Sequence, residues 1–210
     1  MVSPELVIVD YGVGNLFNVQ KVFEECGSRV TVSDDCHTIR QAARLLLPGV
    51  GAFGEAMEQL RRRGLIDAVK DFVSSGRPLM AICVGAQVLL SSSEEFGFHA
   101  GLDLIPGEVK RFSALCGKKI PEIGWNSLIP SENRVWEGTC LSGLGDSPYV
   151  YFNHSFVMIP NDSKHSLADS DYGTQRFCAA VAKDNMVGLQ FHLELSGPIG
   201  VKIAKNFLSR

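Results

Sequence analysis

The chain has 210 residues, 45% of them hydrophobic and 20% charged, with a formal charge of −3. That length is what one α/β domain needs to bury about 70% of its unfolded surface, so one domain over 1–210 is expected. With no excess of cations to hold a phosphate backbone, nucleic acid is set aside as a partner.

The amino end, Met1 to Asp10, carries Glu5 where a secretory leader needs a basic segment, and no apolar run approaches the roughly 18 residues of a membrane span. A cytoplasmic protein is expected. Leu6-Val7-Ile8-Val9 reads as a buried parallel strand, followed by the loop Asp10-Tyr11-Gly12-Val13-Gly14-Asn15 and a helical pattern at Leu16, Val19, Val22, Phe23 and Cys26. The loop is not a dinucleotide fingerprint, because the third glycine position of G-x-G-x-x-G falls on Phe17.

Arg29 to Val32 predicts a second strand after Gly27, His37 to Ala43 a short helix, and Ala43 to Leu47 a third strand. Next comes Pro48-Gly49-Val50-Gly51-Ala52-Phe53, with two glycines around one residue. Such a backbone can approach a ligand closely and rearrange cheaply, as an oxyanion hole requires of its N–H groups; a plain βα turn is the competing reading. Glu55 to Ser74 is helical with a break near Gly64, and Arg61-Arg62-Arg63 lies on its solvated side.

Leu79-Met80-Ala81-Ile82-Cys83-Val84-Gly85-Ala86-Gln87 is an apolar strand that ends in a cysteine and turns at once into a helix supported by Val88, Leu89 and Leu90. A strand-to-helix elbow holds its central residue in a tight conformation and needs small residues two positions either side, here Ala81 and Gly85. N–H groups at the start of the helix would favour thiolate over thiol at Cys83. The plain alternative is that Cys83 is a small buried hydrophobe.

Ser91 to Gly97 is either a loop or the segment that brings Glu95 to a pocket. Gly107 to Phe112 predicts a strand, and Lys118 to Leu128 a loop whose Trp125 is either a core plug or an interface anchor. Tyr149 to Met158 alternates as one strand. Phe177 to Val181 and Met186 to Phe191 form a hairpin around Lys183-Asp184-Asn185 that delivers His192 at its end. If the strand continues, Gln190, His192 and Glu194 share one face and Leu189, Phe191 and Leu193 the other.

A histidine to take the thiol proton and a carboxylate to fix its tautomer are what a cysteine nucleophile requires, so Cys83, His192 and Glu194 read as a catalytic triad. Ser196 caps the last helix, which turns Ile199, Ile203, Phe207 and Leu208 inward. The six cysteines, Cys26, Cys36, Cys83, Cys116, Cys140 and Cys178, form no CxxC pair and have no histidine at ligand spacing. Reduced thiols, no metal and no cofactor are expected.

Taken together, the elbow, the Pro-Gly-Val-Gly-Ala-Phe loop, Gly-Trp-Asn, Tyr-Phe-x-His-Ser, Gln-Phe-His-x-Glu and the Asp-Tyr-Gly-x-Gly-Asn start resemble the triad-type glutamine amidotransferases. Within that family the chain is similar to the glutaminase subunits of imidazole glycerol phosphate synthases. The resemblance implies a three-layer α/β fold with a mostly parallel open sheet, helices on both faces and an antiparallel hairpin extension. It implies that Cys83 attacks the amide of glutamine, that His192 passes the proton to departing ammonia, and that Glu194 orients the imidazole. The N–H groups of Val50 and Val84 would stabilise the oxyanion, and Gly51, Gln87, Glu95, Ser155 and Phe156 match glutamine-binding positions. Gly12, Asn15, Trp125, Asn126 and Leu195 would face a (β/α)8-barrel cyclase.

The chain departs from the family's usual residues at four places: Ala86 stands for a methionine, Glu122 for a histidine, Leu193 for a proline and Leu195 for a lysine or arginine. None removes a catalytic group, and two fall where the partner would dock. A paralogue feeding ammonia to another acceptor, such as amidino-sugar synthesis for surface polysaccharide, is therefore a second reading. A cysteine peptidase or amidase with the same elbow is a third, and a non-catalytic binding subunit a fourth.

Overall fold

A computed structural model describes residues 5–132 and 134–210. The expectation about a leader at Met1 to Asp10 lies partly outside the described residues, at 1–4.

In chain order the elements are β1 Leu6–Val9, α1 Leu16–Glu25, β2 Val30–Ser33, α2 Cys36–Gln41, β3 Arg44–Leu47, α3 Phe53–Arg62, α4 Leu65–Ser74, β4 Leu79–Ile82 and α5 Val84–Gln87. They continue with β5 Leu90–Ser93, β6 His99–Ala100, β7 Ile105–Arg111, β8 Glu122–Ser127, β9 Ile129–Pro130, β10 Tyr149–His154, β11 Phe156–Pro160, β12 Ser166–Tyr172, β13 Gln175–Lys183, β14 Met186–Leu189 and α6 Gly197–Leu208. The main sheet runs β2-β1-β3-β4-β14-β13-β11-β7-β5-β6, with β12 on β13 and β9 on β12. Its first five strands are all parallel, and β14 turns into β13 as an antiparallel hairpin.

The parallel half is covered on both faces, so its strands are apolar throughout: every residue of β1, β4 and β14 is buried. The chain moves outward from β1 to β2 and then back past β1 to β3. Right-handed crossovers therefore place α1 on one face and α2, α3 and α4 on the other. Helix α6 joins α1, with Phe23 edge-to-face on Phe207 at 6.2 Å between ring centroids. Gly64, at φ 68°, separates α3 from α4 as its position predicted.

Several elements differ from the sequence reading, each for a local reason. The elbow helix does not run through Leu90 but ends after one turn. The carbonyls of Val88, Leu89 and Leu90 are taken instead by the N–H groups of Leu102, Leu104, Ile105 and Asp103, and Leu90 opens a strand. The Trp125 segment is not a loop but strand β8, paired antiparallel with β10 in a separate two-stranded sheet. The single strand expected over Tyr149 to Met158 breaks at Ser155: β10 pairs with β8, whereas β11 crosses to the main sheet between β7 and β13. Residues 190–194 do not continue β14. His192 makes an isolated bridge with Tyr151, and Leu193–Leu195 is a 3-10 turn.

Candidate active site

The ends of three neighbouring parallel strands meet at one cleft: the segment after β3 brings residues 48–51, that after β4 brings Cys83, and that after β14 leads to His192. Ligands of open α/β sheets bind at this edge, outside the carboxyl ends of the strands.

Cys83 has φ 53° and ψ −115°, a conformation that a residue with a side chain rarely adopts. Its backbone is fixed on both sides. The N–H donates to Leu189 O at 2.7 Å, and the carbonyl accepts from Ala86 and Gln87 N at 2.9 and 3.0 Å. The turn fits only because the elbow and the preceding loop lack side chains where they touch: a Cβ on Gly85 would lie 2.1 Å from Leu47 O, and one on Gly49 2.3 Å from Gly85 N. The four-residue α5 contributes little macrodipole, so local N–H groups carry the electrostatics instead. Val84 opens that turn, and its N–H has no acceptor within the helix.

Downstream, His192 Nδ1 lies 2.8 Å from Glu194 Oε1, with both side chains almost wholly buried. A strand would have set them side by side on one face; here the 3-10 turn folds Glu194 back under the ring. The turn is pinned by Ser196, whose Oγ donates to His192 O at 2.6 Å and accepts from Tyr151 N at 3.0 Å. Ser196 does stand at the N-cap of α6, but its hydroxyl makes no cap bond there. Because a carboxylate only accepts, Nδ1 carries its proton toward Glu194, and Nε2 is left to exchange a proton with Cys83.

The cleft has a volume of about 430 Å³, within the range of small-molecule sites. It is lined by Cys83, His192 and Glu194 together with Asn15, Val50, Gly51, Val84, Gln87, Glu95, Ser155, Phe156 and Leu195, which brings together most of the residues singled out in the sequence. Glu95 is held by the Phe53 N–H on its Oε2 at 2.7 Å and presents a carboxylate wall. The Phe156 carbonyl is already occupied, accepting from Gln87 Nε2 at 3.1 Å and facing His154 Nδ1 at 2.8 Å, so it is not an acceptor for a ligand.

Gly12 lies off the cleft beside Arg63 and Gln59. Trp125 is 56% exposed and stacks edge-to-face on Tyr151 at 6.1 Å, which rules out the core plug. Asn126 is half-buried. Its Nδ2 donates to Glu122 Oε1 and Asp171 O, both at 2.8 Å, and its Oδ1 accepts from Ser127 N at 2.8 Å.

The class-I glutamine amidotransferase family model matches residues 7–210. The chain belongs to that family. Among curated relatives it is 44% identical to the imidazole glycerol phosphate synthase subunit HisH of Syntrophotalea carbinolica, over 96% of this chain and 98% of that one. It is 43% identical to the subunit of the same name from Sulfurimonas denitrificans, over 96% of each. Solved structures with similar folds include PurLQS from Thermotoga maritima, with a TM-score of 0.75 at 19% identity over 99% of both chains. Another is the glutaminase domain of Trypanosoma brucei CTPS, with a TM-score of 0.65 at 14% identity over 99% of this chain and 94% of that one.

For a class-I amidotransferase the protonation of the histidine matters. Burial works against the imidazolium of His192, but hydrogen bonds and charge from Cys83 and Glu194 outweigh it and push its pKa up to about 10. A raised histidine value means that the folded state binds the proton more tightly than the unfolded state. Its stabilisation is therefore complete below about 6.5 and is lost as pH rises toward 10. By histidine-selective NMR, His192 is expected to stay an imidazolium through pH 8 and to fall in pKa in Cys83→Ala, where the sulfur's contribution is gone. A neutral ring at pH 7 in the wild-type chain contradicts this ion-pair picture.

Two groups at the amidotransferase site were not recognised as such from sequence. Gln190, wholly buried, accepts from Gln87 Nε2 at 3.1 Å and points its own Nε2 at Cys83 Sγ, 3.9 Å away. Its parity with His192 was the only available signal. Tyr11 lies buried beneath the 48–51 loop and donates its hydroxyl to Pro48 O. Burial, and secondarily the charge of Cys83, push its pKa up, so it stays a donor.

Proposed function

We propose that residues 1–210 form a single amidotransferase unit that hydrolyses glutamine through Cys83, His192 and Glu194 and hands the ammonia to a (β/α)8-barrel cyclase. The observation that carries this is the meeting of the strained cysteine, the His192–Glu194 pair and the open cleft at one sheet edge. The Cys83 thiolate attacks the side-chain carbonyl carbon of glutamine, and the N–H groups of Val84 and Val50 receive the oxyanion. As the intermediate collapses, the C–N bond breaks and His192 gives its proton to the departing amine. Water then adds to the thioester with His192 as base, the C–S bond breaks, glutamate leaves and the thiolate returns.

By its likeness to the HisH subunits, the ammonia is used in histidine biosynthesis, where the cyclase forms imidazole glycerol phosphate and an aminoimidazole carboxamide ribotide. Gly51, Gln87, Glu95 and the Ser155–Phe156 segment hold glutamine, with the Glu95 carboxylate suited to its ammonium group. No helix among the described residues is long and apolar enough to cross a membrane, and we place the enzyme in the cytoplasm.

Exposed apolar side chains support a docked partner: Val50 and Leu195 line the cleft, and Trp125 is exposed on β8, 4.0 Å from where a Cβ at Gly197 would sit. Leu195 is 40% exposed on the rim. It cannot pair with a carboxylate, and a partner carboxylate desolvated against it would cost on the order of several kcal/mol. The cognate barrel is therefore expected to present an uncharged residue there. Leu195→Lys should weaken binding to that barrel and improve binding to a cyclase taken from a source whose glutaminase carries a basic residue at this position. Titration of both forms against both barrels tests the docking model, and identical affinities for the two forms would remove Leu195 from the interface.

A further inference from the structure

Glu122 replaces the histidine usual in the family, and it is buried. It stands directly opposite His154 in the β8–β10 ladder, with the two residues 3% and 6% exposed. Glu122 Oε2 lies 3.1 Å from His154 Nε2 as a charge contact off the line of a hydrogen bond, and Glu122 Oε1 accepts from Asn126 Nδ2 at 2.8 Å. On the other side of the ring, His154 Nδ1 lies 2.8 Å from the Phe156 carbonyl. The rings of Phe112, Phe152 and Phe177 surround the imidazole, with centroids 5.1, 5.5 and 5.2 Å away.

We propose that Glu122 is a positioning residue for the glutamine site, acting through His154 on the Phe156 carbonyl and Gln87. The inference rests on the glutaminase reading above. A carbonyl cannot donate, so Nδ1 must carry a proton. Nε2 and Oε2 at 3.1 Å then need one proton between them, or two lone pairs would face each other in a phenylalanine cage. Glu122 thus fixes the form of the ring that holds the Phe156 carbonyl in place.

That carbonyl in turn holds Gln87 Nε2, which also reaches Gln190, which points at Cys83 Sγ. A buried polar chain runs in this way from strand β8, which carries Trp125, to the nucleophile. Burying such a pair gains little stability over apolar residues of the same shape, so its contribution here is geometry.

The test uses the chain with its barrel partner and acceptor saturating. Glu122→Leu, which leaves Nε2 unpaired, is expected to raise KM for glutamine roughly tenfold with kcat changed by less than about threefold, the worth of one misplaced hydrogen-bonded group. Glu122→Gln, whose amide N–H can donate to Nε2 and so keep the proton on Nδ1, is expected to recover KM to within about threefold of wild type. A wild-type KM in Glu122→Leu, a loss confined to kcat, or no recovery in Glu122→Gln overturns the proposal.

Nitrogen-15 NMR of the wild-type chain decides the matter even if Glu122→Leu does not fold. His154 must carry a proton on Nδ1, and a ring protonated on Nε2 alone overturns the assignment. A wild-type complex that fails to hydrolyse glutamine refutes the proposed activity instead, and the NMR result still judges the Glu122–His154 geometry on its own.

Discussion

Cys83→Ala is expected to lower glutamine hydrolysis by the complex more than about a thousandfold while leaving the fold intact. The backbone at Cys83 is held by Leu189 O, Ala86 N and Gln87 N, and none of these bonds uses the sulfur. Removing the sulfur deletes the long approach of Gln190 Nε2 and the charge that holds the His192 proton. His192→Ala should be similarly severe, because it removes both the base for the thiol and the acid for the leaving amine. Glu194→Gln should cost less, since an amide oxygen can still accept from Nδ1 at the 2.8 Å spacing though it stabilises the imidazolium poorly. Rates from steady-state glutamate release, with melting curves as the control for folding, check all three. A Cys83→Ala complex retaining more than about a thousandth of the wild-type rate would falsify the nucleophile assignment.

The second large effect concerns the oxyanion loop. The chain alone is expected to turn over glutamine about 10²–10³ times more slowly than the chain on its barrel with acceptor bound, the worth of one oxyanion donor. The loop is anchored at one end and free at the other. Gly49 is packed against the elbow and Tyr11 clamps Pro48 O, whereas Gly51, at φ 88°, has open space where a Cβ would sit, and Val50 is exposed. Rotating the peptide between Gly49 and Val50 moves the N–H without moving either Cα, so a partner that favours the inward state by contact can switch the site. Comparing initial rates of the chain with and without barrel and acceptor tests this. Full-speed hydrolysis by the isolated chain contradicts it.

What was legible in the sequence was what short-range physics determines. The apolar runs of β1, β3 and β4 read as buried parallel strands, and the 3.6-residue spacing marked α1, α3 and α4, with Gly64 at the break. The elbow was legible because close backbone approach admits only small residues, and Gly85 against Leu47 O bears that out. Strand β12, Ser-Leu-Ala-Asp-Ser-Asp-Tyr, shows no apolar alternation because its polar side chains are taken up in hydrogen bonds: Asp169 accepts from Ser166 of the same strand and from Ser131, just beyond β9. The break at Ser155, the turn that swings Glu194 under His192 and the Glu122–His154 pair all depend on which strands become neighbours, which no local pattern encodes. The bond from the Asn126 amide to Glu122 was hidden for the same reason, since both residues lie in β8, a strand that the local sequence did not reveal.

The most direct test of cysteine-based glutamine hydrolysis is to trap the covalent intermediate. The complex would be quenched in acid during steady turnover of carbon-labelled glutamine and its peptides mapped by mass spectrometry. A glutamyl thioester is predicted on the peptide carrying Cys83, on none of the other five cysteines, and absent from Cys83→Ala. Glutamate formation with no label on Cys83, or with label on another cysteine, would contradict it.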